Sequence, residues 1–149
     1  MNEDQRIRER IFSQLNTQTD FANVEIAVKN GFVVIKYMHE HSRLKKNLEQ
    51  ISRHLKSVKA FLIDNDATDK PIEQTLAFRL IDALQQEFNM DDGHIIIEIS
   101  NGQVYLEGTV SRPSRRSALG KTIWEVNGVK GICNLLKVPS EQYGKTCHA

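Results

Sequence analysis

Positively charged side chains are concentrated in one stretch of the chain, residues 40–60. This stretch holds six lysine and arginine residues against two acidic ones. A basic side chain near an anionic bilayer contributes about 1 kcal/mol to attachment, so three or four facing the same way suffice for weak membrane binding. A solvated helix face without any partner has the same composition. The candidate lipid- or partner-binding residues are Arg43, Lys45, Lys46, Arg53 and Lys56.

A second, smaller basic cluster precedes the single tryptophan of the chain. Its members are Arg112, Arg115 and Arg116, and Trp124 follows about two helical turns later. An amphipathic indole ring suits a membrane interface, and it suits the junction between two packed units equally well. We add these four residues to the candidate binding set, and for Trp124 we favour the junction.

Side chains suited to metal binding or catalysis do not occur at the spacings that either chemistry requires. His39 and His41 would project to one side of an extended strand, with His54 on the next element, but no cysteine or carboxylate joins them at ligand spacing. The sequence also has no glycine-rich phosphate loop, zinc-protease motif or nucleophile elbow. We therefore predict no metal site, no cofactor and no enzyme activity.

The composition is that of a globular chain with little net charge. Hydrophobic residues make up 40% and charged residues 26% of the 149 residues, close to the average for soluble domains. The net charge of +1 gives no general attraction to nucleic acid, and the GXXG clamp and paired aromatic signature of small RNA-binding modules are missing. No apolar run approaches the roughly 20 residues of a transmembrane helix.

The chain start and the two cysteines leave the cellular compartment open. The first residues are charged where a secretory signal has an apolar region. This indicates the cytoplasm for a complete precursor, with the periplasm as the alternative if a signal peptide has been removed. Cys133 lies in an apolar run and is expected in the core, whereas Cys147 lies in a polar tail. The sequence does not decide whether the two cysteines pair.

The two halves of the chain carry the same pattern at an offset of 71 residues. Asn30-Gly31 aligns with Asn101-Gly102, and alternating apolar residues flank both pairs. Asn-Gly supplies the two positive φ angles of a type I′ turn, so each half contains a β-hairpin. The turn also predicts a register in which Lys29 pairs with Phe32, Val28 with Val33 and Ile26 with Ile35. The identical pairs of the alignment are Ile26/Ile97, Asn30/Asn101, Gly31/Gly102, Val33/Val104, Leu48/Leu119, Val58/Val129 and Lys59/Lys130.

Apolar residues at helical spacing before and after each hairpin predict two helices per half, and an apolar run then closes each half with a strand. We expect Pro71 near the start of the third helix and Ser111 or Ser114 as the cap of the fourth. The predicted fold is α+β, with two αββαβ repeats, each a three-stranded mixed sheet with two helices on one face. The repeats are assigned to residues 1–66 and 71–139, with a linker at 67–70 and a polar C-terminal tail at 140–149.

The predicted register leaves apolar residues on the sheet face that the helices of the same repeat do not cover. Exposed together, such residues would form an apolar patch. A unit of about sixty residues is also marginally stable alone. We therefore expect at least part of this face to be covered by the other repeat or by a ligand. The residues concerned include Phe32, Val34, Ile96 and Tyr105.

Residues 95–138, with the helix before them, resemble a BON domain, the bacterial OsmY and nodulation module. The match lies at Asn101-Gly102, Val104, Leu106, Gly108, Val110, Ala118, Gly128-Val129 and Asn134. The first half resembles the family less, because Tyr37, Ser57 and Ile63 stand where the second half has Gly108, Gly128 and Asn134. It is interpreted as a degenerate repeat of a tandem protein.

The resemblance implies a non-enzymatic αββαβ module of bacterial envelope-associated proteins, a family linked to osmotic stress and thought to bind phospholipid surfaces or envelope components. The main hypothesis is association with an anionic phospholipid surface or an envelope protein. The alternative is a cytoplasmic adaptor that meets a protein partner through its apolar sheet faces. Nucleic-acid binding and an ion-responsive module are minor alternatives. The oligomeric state is not predicted.

Overall fold

The computed structural model describes residues 2–16, 25–36, 46–48, 50–51, 58–65, 71–87, 95–139 and 146–148, with the backbone alone at 15–16 and 146–148. The helices are α1 (Glu3–Asn16), α2 (Leu76–Glu87) and α3 (Pro113–Trp124). Residues 46–48 and 50–51 are also helical. The strands are β1 (Glu25–Lys29), β2 (Phe32–Lys36), β3 (Ala60–Asp64), β4 (Ile95–Ser100), β5 (Gln103–Thr109), β6 (Gly131–Lys137) and β7 (Thr146–His148).

All seven strands belong to one sheet, and their order in the sheet is their order in the chain. In the first half β1 and β2 form an antiparallel hairpin, and β3 lies parallel to β2. In the second half β4, β5 and β6 repeat this arrangement. The mixed α+β fold and the β-hairpin expected in each half are confirmed, whereas the sequence did not predict the order of the strands in the sheet. The sequence did not indicate that β3 and β4 pair in parallel and join the two sheets into one.

Both hairpin turns have the backbone conformation that Asn-Gly predicts. The φ angles are 52° at Asn30 and 86° at Gly31 in the first turn, and 53° at Asn101 and 81° at Gly102 in the second. These pairs of positive φ angles define a type I′ turn. The predicted register is confirmed, with Lys29 opposite Phe32, Val28 opposite Val33 and Ile26 opposite Ile35.

Lys59 and Lys130, another identical pair of the internal alignment, form the same contact in each half. The backbone N–H of Lys59 donates to the Gly31 carbonyl at 2.8 Å, and that of Lys130 donates to the Gly102 carbonyl at 2.8 Å. Each turn is thereby tied to the chain segment that enters the third strand of its half. The identical residues of the two halves therefore specify one local structure.

Helices of the two halves cover opposite faces of the sheet. The α1 face consists of Ile26, Val33, Ile35, Phe61, Ile63 and Ile96, packed by Ile7 and Ile11 of α1 and by Leu48 and Ile51. The α2 face includes Phe32, Val34, Ala60, Leu62, Ile97, Ile99, Val104, Leu106, Ile132 and Leu136, packed by α2 and α3. Strands β2, β3 and β4 run in one direction and β1 runs in the opposite one, so β1 and β4, the first strands of the two halves, are antiparallel. Because the order of the strands is the same in both halves, the second half is turned over relative to the first, and its helices lie on the other face.

Helix α2 crosses the junction between the halves. Residues of α2 share a core cluster with Phe32 and Val34 of the first half, which are 1% and 0% exposed. Ile96 of β4 lies in the other cluster, at 5% exposure. The apolar residues Phe32, Val34 and Ile96 are therefore buried where the two halves meet. Strands β2 and β3 are consequently buried on both sides of the sheet.

Polar contacts join the first hairpin to α2. Lys29 Nζ lies 2.6 Å from Asp82 Oδ1 and 5.8 Å from the centre of the Phe78 ring. Asn30 Nδ2 donates to Gln85 Oε1 at 3.1 Å. The Lys29–Asp82 pair is substantially exposed, at 39% and 64%, and exposed ion pairs contribute little stability. The buried strands, more than this pair, therefore hold the two halves together.

Helix starts and the chain end differ from the sequence-based expectations. Pro71 precedes a short 3-10 turn at Ile72–Gln74, and α2 begins only at Leu76. The N-cap of α3 is Arg112, with Pro113 at the first helical position, so neither serine caps it. Part of the expected polar tail forms β7, which pairs antiparallel with β6.

Cys133 differs from its expected environment as well. It is half-buried and disulfide-bonded. The chain has one other cysteine, Cys147, whose backbone lies directly opposite Cys133 in the pairing of β6 with β7. The two cysteines therefore pair with each other, and the bond fixes β7 to the edge of the sheet.

Candidate functional site

The asparagine of the BON-like pattern fastens α3 to β6. Asn134 Nδ2 donates to the Arg116 carbonyl at 3.0 Å, and Asn134 Oδ1 accepts from the Leu136 N–H at 3.3 Å. Asn134 is 7% exposed, and a buried amide needs such partners. This residue of the pattern therefore has a structural role in the fold.

Arg116 completes the same network from the helix side. Its Nη2 donates to the Asn134 carbonyl at 2.7 Å, and its Nε donates to the Leu136 carbonyl at 3.1 Å. The guanidinium thus lies against β6 instead of pointing outward from α3. Arg116 was a candidate binding residue, and the structure places its charge within the protein's own hydrogen-bond network.

Two glycines of this half provide space for their neighbours. A methyl group on Gly120 would come within 2.8 Å of Asn134 Nδ2, so the helix approaches β6 closely enough for the hydrogen bond only with glycine there. Gly128 has a φ of 108°, and a methyl group on it would lie 2.8 Å from Arg79 Nη2. Gly120 therefore permits close packing of α3 on β6, and Gly128 of the BON-like pattern permits a turn.

Arg115 is held by α2. Its Nη1 lies 3.3 Å from Glu87 Oε2, with side-chain exposures of 12% for Arg115 and 39% for Glu87. Its Nη2 also donates to the Glu87 carbonyl. Arg115 joins the ends of two helices, and only a small part of its side chain reaches solvent.

Exposed side chains occur along one side of α3 and at its N-cap. Arg112, Lys121 and Trp124 are exposed, with Ser114 and Ser117 between them. Trp124 is 46% exposed and lies one helical turn from Lys121, on the same side. We call Arg112, Lys121 and Trp124 the α3 outer face. The junction position expected for Trp124 does not occur, because α2 and not α3 crosses the junction.

Most of the basic stretch of the first half is outside the described residues. Arg43, Lys45, Arg53 and Lys56 fall there, as do His39, His41 and His54. Lys46 is described and exposed. Lys59 Nζ lies 5.7 Å from the centre of the Phe32 ring, so its charge lies over an aromatic side chain of the first half.

Of the four sheet-face residues, Tyr105 stands apart. Phe32, Val34 and Ile96 are buried at the junction, whereas Tyr105 is 37% exposed. It lies opposite Glu98 on one side and Cys133 on the other, in a row across β4, β5 and β6. The surface available to a partner on this part of the sheet is therefore more polar than the sequence suggested.

An open cleft of about 640 Å³ lies where α1 meets the first hairpin, lined by Asn2, Glu3, Asp4, Asn30, Gly31, Lys59 and Gln85. The Asp4 carboxylate accepts the N–H groups of Asn30 at 2.8 Å and Gly31 at 2.9 Å. These bonds account for Asp4 as an anchor of the turn. The sequence offered no signal for this contact, since Asp4 is distant in the chain from Asn30 and Gly31.

Among the residues that the structure describes, no three histidine, cysteine or acidic side chains are grouped to hold a metal ion. Within the same ranges, no helix is both long and apolar enough to cross a membrane.

The BON domain model matches residues 68–140. No curated protein is significantly similar to the chain in sequence. Two solved structures of CdsD, a structural protein of the type III secretion system of Chlamydia trachomatis, are similar over 92% of this chain. One, of its C-terminal domain, has 14% identity and a TM-score of 0.37 and is covered over 67% of its own length. The other has 13% identity and a TM-score of 0.34 and is covered over 63%. Together with the strand pairing and the Asn134 network, the match shows that residues 68–140 are a BON domain.

Proposed function

We propose that this chain is a non-enzymatic binding module that attaches to anionic phospholipid surfaces through the α3 outer face. The observation that carries the proposal is the exposure of Trp124 beside Lys121 on the same side of α3. An indole ring suits the headgroup region of a bilayer, and a lysine one turn away contributes about 1 kcal/mol of attraction to an anionic surface.

The geometry reduces the number of cations that this face contributes. Arg115 and Arg116 are bonded to Glu87 and to the β6 carbonyls, which leaves Arg112 and Lys121 outermost. Two cations and one aromatic ring support weak, reversible attachment. Lys46 precedes Leu48 and Ile51, which pack on the α1 face of the sheet, so in this proposal it belongs to a separate contact and adds no charge to the α3 outer face.

We also propose that residues 1–66 are a diverged repeat of the same αββαβ unit, placed before the BON domain, with residues 67–70 as a linker. The support is the repeated strand pairing, the repeated type I′ turn and the repeated bond from a lysine N–H to a turn glycine. Under this proposal the first unit buries one side of its sheet beneath α2 of the second. It functions as a partner for the BON domain, whatever ligand it also binds.

Co-sedimentation with vesicles tests the attachment. The chain is expected to sediment with anionic vesicles and not with zwitterionic ones at low salt. Binding should be lost near 0.5 M salt, where the Debye length falls to about 4 Å. Sedimentation that is equal with both kinds of vesicle, or that survives high salt unchanged, contradicts an electrostatic attachment. The protein-adaptor alternative would then be favoured.

The double variant Lys121→Glu/Trp124→Ser tests the site itself. It should lower the partition constant onto anionic vesicles by about 30- to 150-fold, because it removes the ring and reverses a charge that together are worth about 2–3 kcal/mol. The matched control is Lys137→Glu. Lys137 is exposed and follows Leu136 of the α2 face, so its side chain points to the opposite face of the sheet from α3. Equal losses in the double variant and the control would place the site elsewhere.

A further inference from the structure

The junction between the two halves shows how one unit of this chain accepts another. The edge of β3 that faces away from β2 pairs in parallel with β4, with Phe61 opposite Ile96 and Leu62 opposite Ile97. Helix α2 of the incoming half then covers the exposed side of the first sheet at Phe32 and Val34. Edge pairing and helix covering therefore occur together.

The second half presents an equivalent edge. At the offset of 71 residues, β6 takes the place of β3, and both follow the hairpin of their half in parallel. The outer edge of β6 is occupied by β7, a strand of three residues, opposite Ile132, Cys133 and Asn134. Offset back by the same number of residues, these positions correspond to Phe61, Leu62 and Ile63, three of the four that pair with β4 at the internal junction.

The Cys133–Cys147 bond fixes β7 in that place. A three-residue strand offers few backbone hydrogen bonds, and an isolated edge strand of this length is weakly held. Without the covalent link, β7 would therefore be displaced far more readily than a full strand. An unprotected edge is a ready site for pairing with another chain.

Among the described residues, no strand pairs with the outer edge of β1, at the opposite side of the sheet. Arg8 Nε donates to the Ile26 carbonyl at 3.2 Å, which blocks one outward-facing group of the strand. Next to it, Phe12 of α1 is 44% exposed. In the internal junction the incoming helix covers apolar residues, and Tyr105 and the half-buried Leu135 lie on the matching part of the second half.

We propose that the β6 edge is a docking site for the first half of a second copy of this chain, kept closed by β7 while the Cys133–Cys147 disulfide is intact. The internal junction fixes the register: Ile26 of the incoming β1 lies opposite Cys133, and Val28 lies opposite Leu135. Phe12 of the incoming α1 covers Tyr105. The contact joins two different surfaces, so it extends head to tail and is not limited to dimers.

Opening the site is a two-electron reduction by a dithiol. The reductant's thiolate attacks one sulfur, and a second exchange releases two cysteine thiols and the oxidised reductant as a cyclic disulfide. The inference rests on the two-unit arrangement proposed above and not on lipid attachment, since no vesicle takes part in the assay below.

Mass measurement by light scattering across a concentration series tests the proposal. The oxidised chain is expected to have the mass of one copy. The reduced chain, the Cys147→Ser variant and a chain lacking residues 146–149 are expected to have at least twice that mass as concentration rises. Far-UV circular dichroism verifies that each form is folded. A single-copy mass for all three at every concentration overturns the proposal, and the truncated chain decides the matter if Cys147→Ser does not fold.

Cross-linking tests the register. In the Cys147→Ser background, Ile26→Cys is expected to form an intermolecular disulfide with Cys133 under mild oxidation, seen as a doubled mass on a non-reducing gel. The matched control is Val28→Cys. It lies two residues further along the same face, beyond the about 7 Å that a disulfide can span. Equal cross-linking of the two variants overturns the register, and no cross-linking of either overturns docking through β1.

Discussion

Replacing Phe61 by alanine is expected to lower the free energy of unfolding by about 3–5 kcal/mol, the range for a fully buried phenylalanine. Phe61 is 1% exposed and pairs across the junction with Ile96. Its removal leaves a cavity in the α1 face where both halves contribute side chains. Urea denaturation followed by far-UV circular dichroism measures the loss.

The same experiment shows whether the two halves unfold together. Trp124 lies in the second half, so its fluorescence should follow the same shifted transition as the circular dichroism, because β3 and β4 belong to one sheet. The matched control is Phe12→Ala on α1. Phe12 is 44% exposed, and its loss should cost less than about 1 kcal/mol. A Trp124 transition that is unchanged in Phe61→Ala would show that the halves unfold independently.

Replacing Asn134 by alanine is expected to cost about 2–3 kcal/mol, because the buried Leu136 N–H and the Arg116 carbonyl both lose their partner. The effect should appear as a lower urea midpoint with an unchanged slope. Asn127→Ala is the matched control. Asn127 is exposed, and its backbone carbonyl, which alanine retains, accepts from Arg79 Nε.

Gly120 provides an internal check on the Asn134 result. A methyl group at Gly120 meets Asn134 Nδ2 at 2.8 Å, so Gly120→Ala alone should destabilise the protein. In the Asn134→Ala background the methyl group no longer meets the amide. The double variant should therefore be more stable than the sum of the two single losses implies. Strict additivity would mean that the close approach of Gly120 to Asn134 does not determine the packing of α3 on β6.

Local chemistry was readable from the sequence. Asn-Gly specifies a type I′ turn without reference to the rest of the chain, and that turn sets which residues face each other in the hairpin. The register of β1 with β2 and the order of elements in each half followed from such local rules. The candidate binding residues were harder to judge. The spacing of Leu119 and Ile123 places Arg115 and Arg116 toward the buried side of α3, but only the structure shows which groups bind them, namely Glu87 and the β6 carbonyls.

The predictions of the helix starts and of the C-terminal tail were wrong for related reasons. Proline suits a helix start and serine suits an N-cap, but α2 starts at Leu76, five residues after Pro71, and α3 starts at Pro113, between Ser111 and Ser114. Strand β7 was missed because a three-residue strand has no measurable alternation. Its position depends on an edge that exists only after β6 has formed.

The sequence by itself determined the repeated hairpins, the α+β class and the presence of a BON-like pattern, because each depends on residues close together in the chain. Only the tertiary structure decided that β3 and β4 join the halves into one sheet, with helices on opposite faces. It also decided that Arg115 and Arg116 turn inward while Lys121 and Trp124 face solvent. These features depend on which surfaces meet after the local elements have formed, and periodicity gives the buried side of a helix but not the partner that buries it.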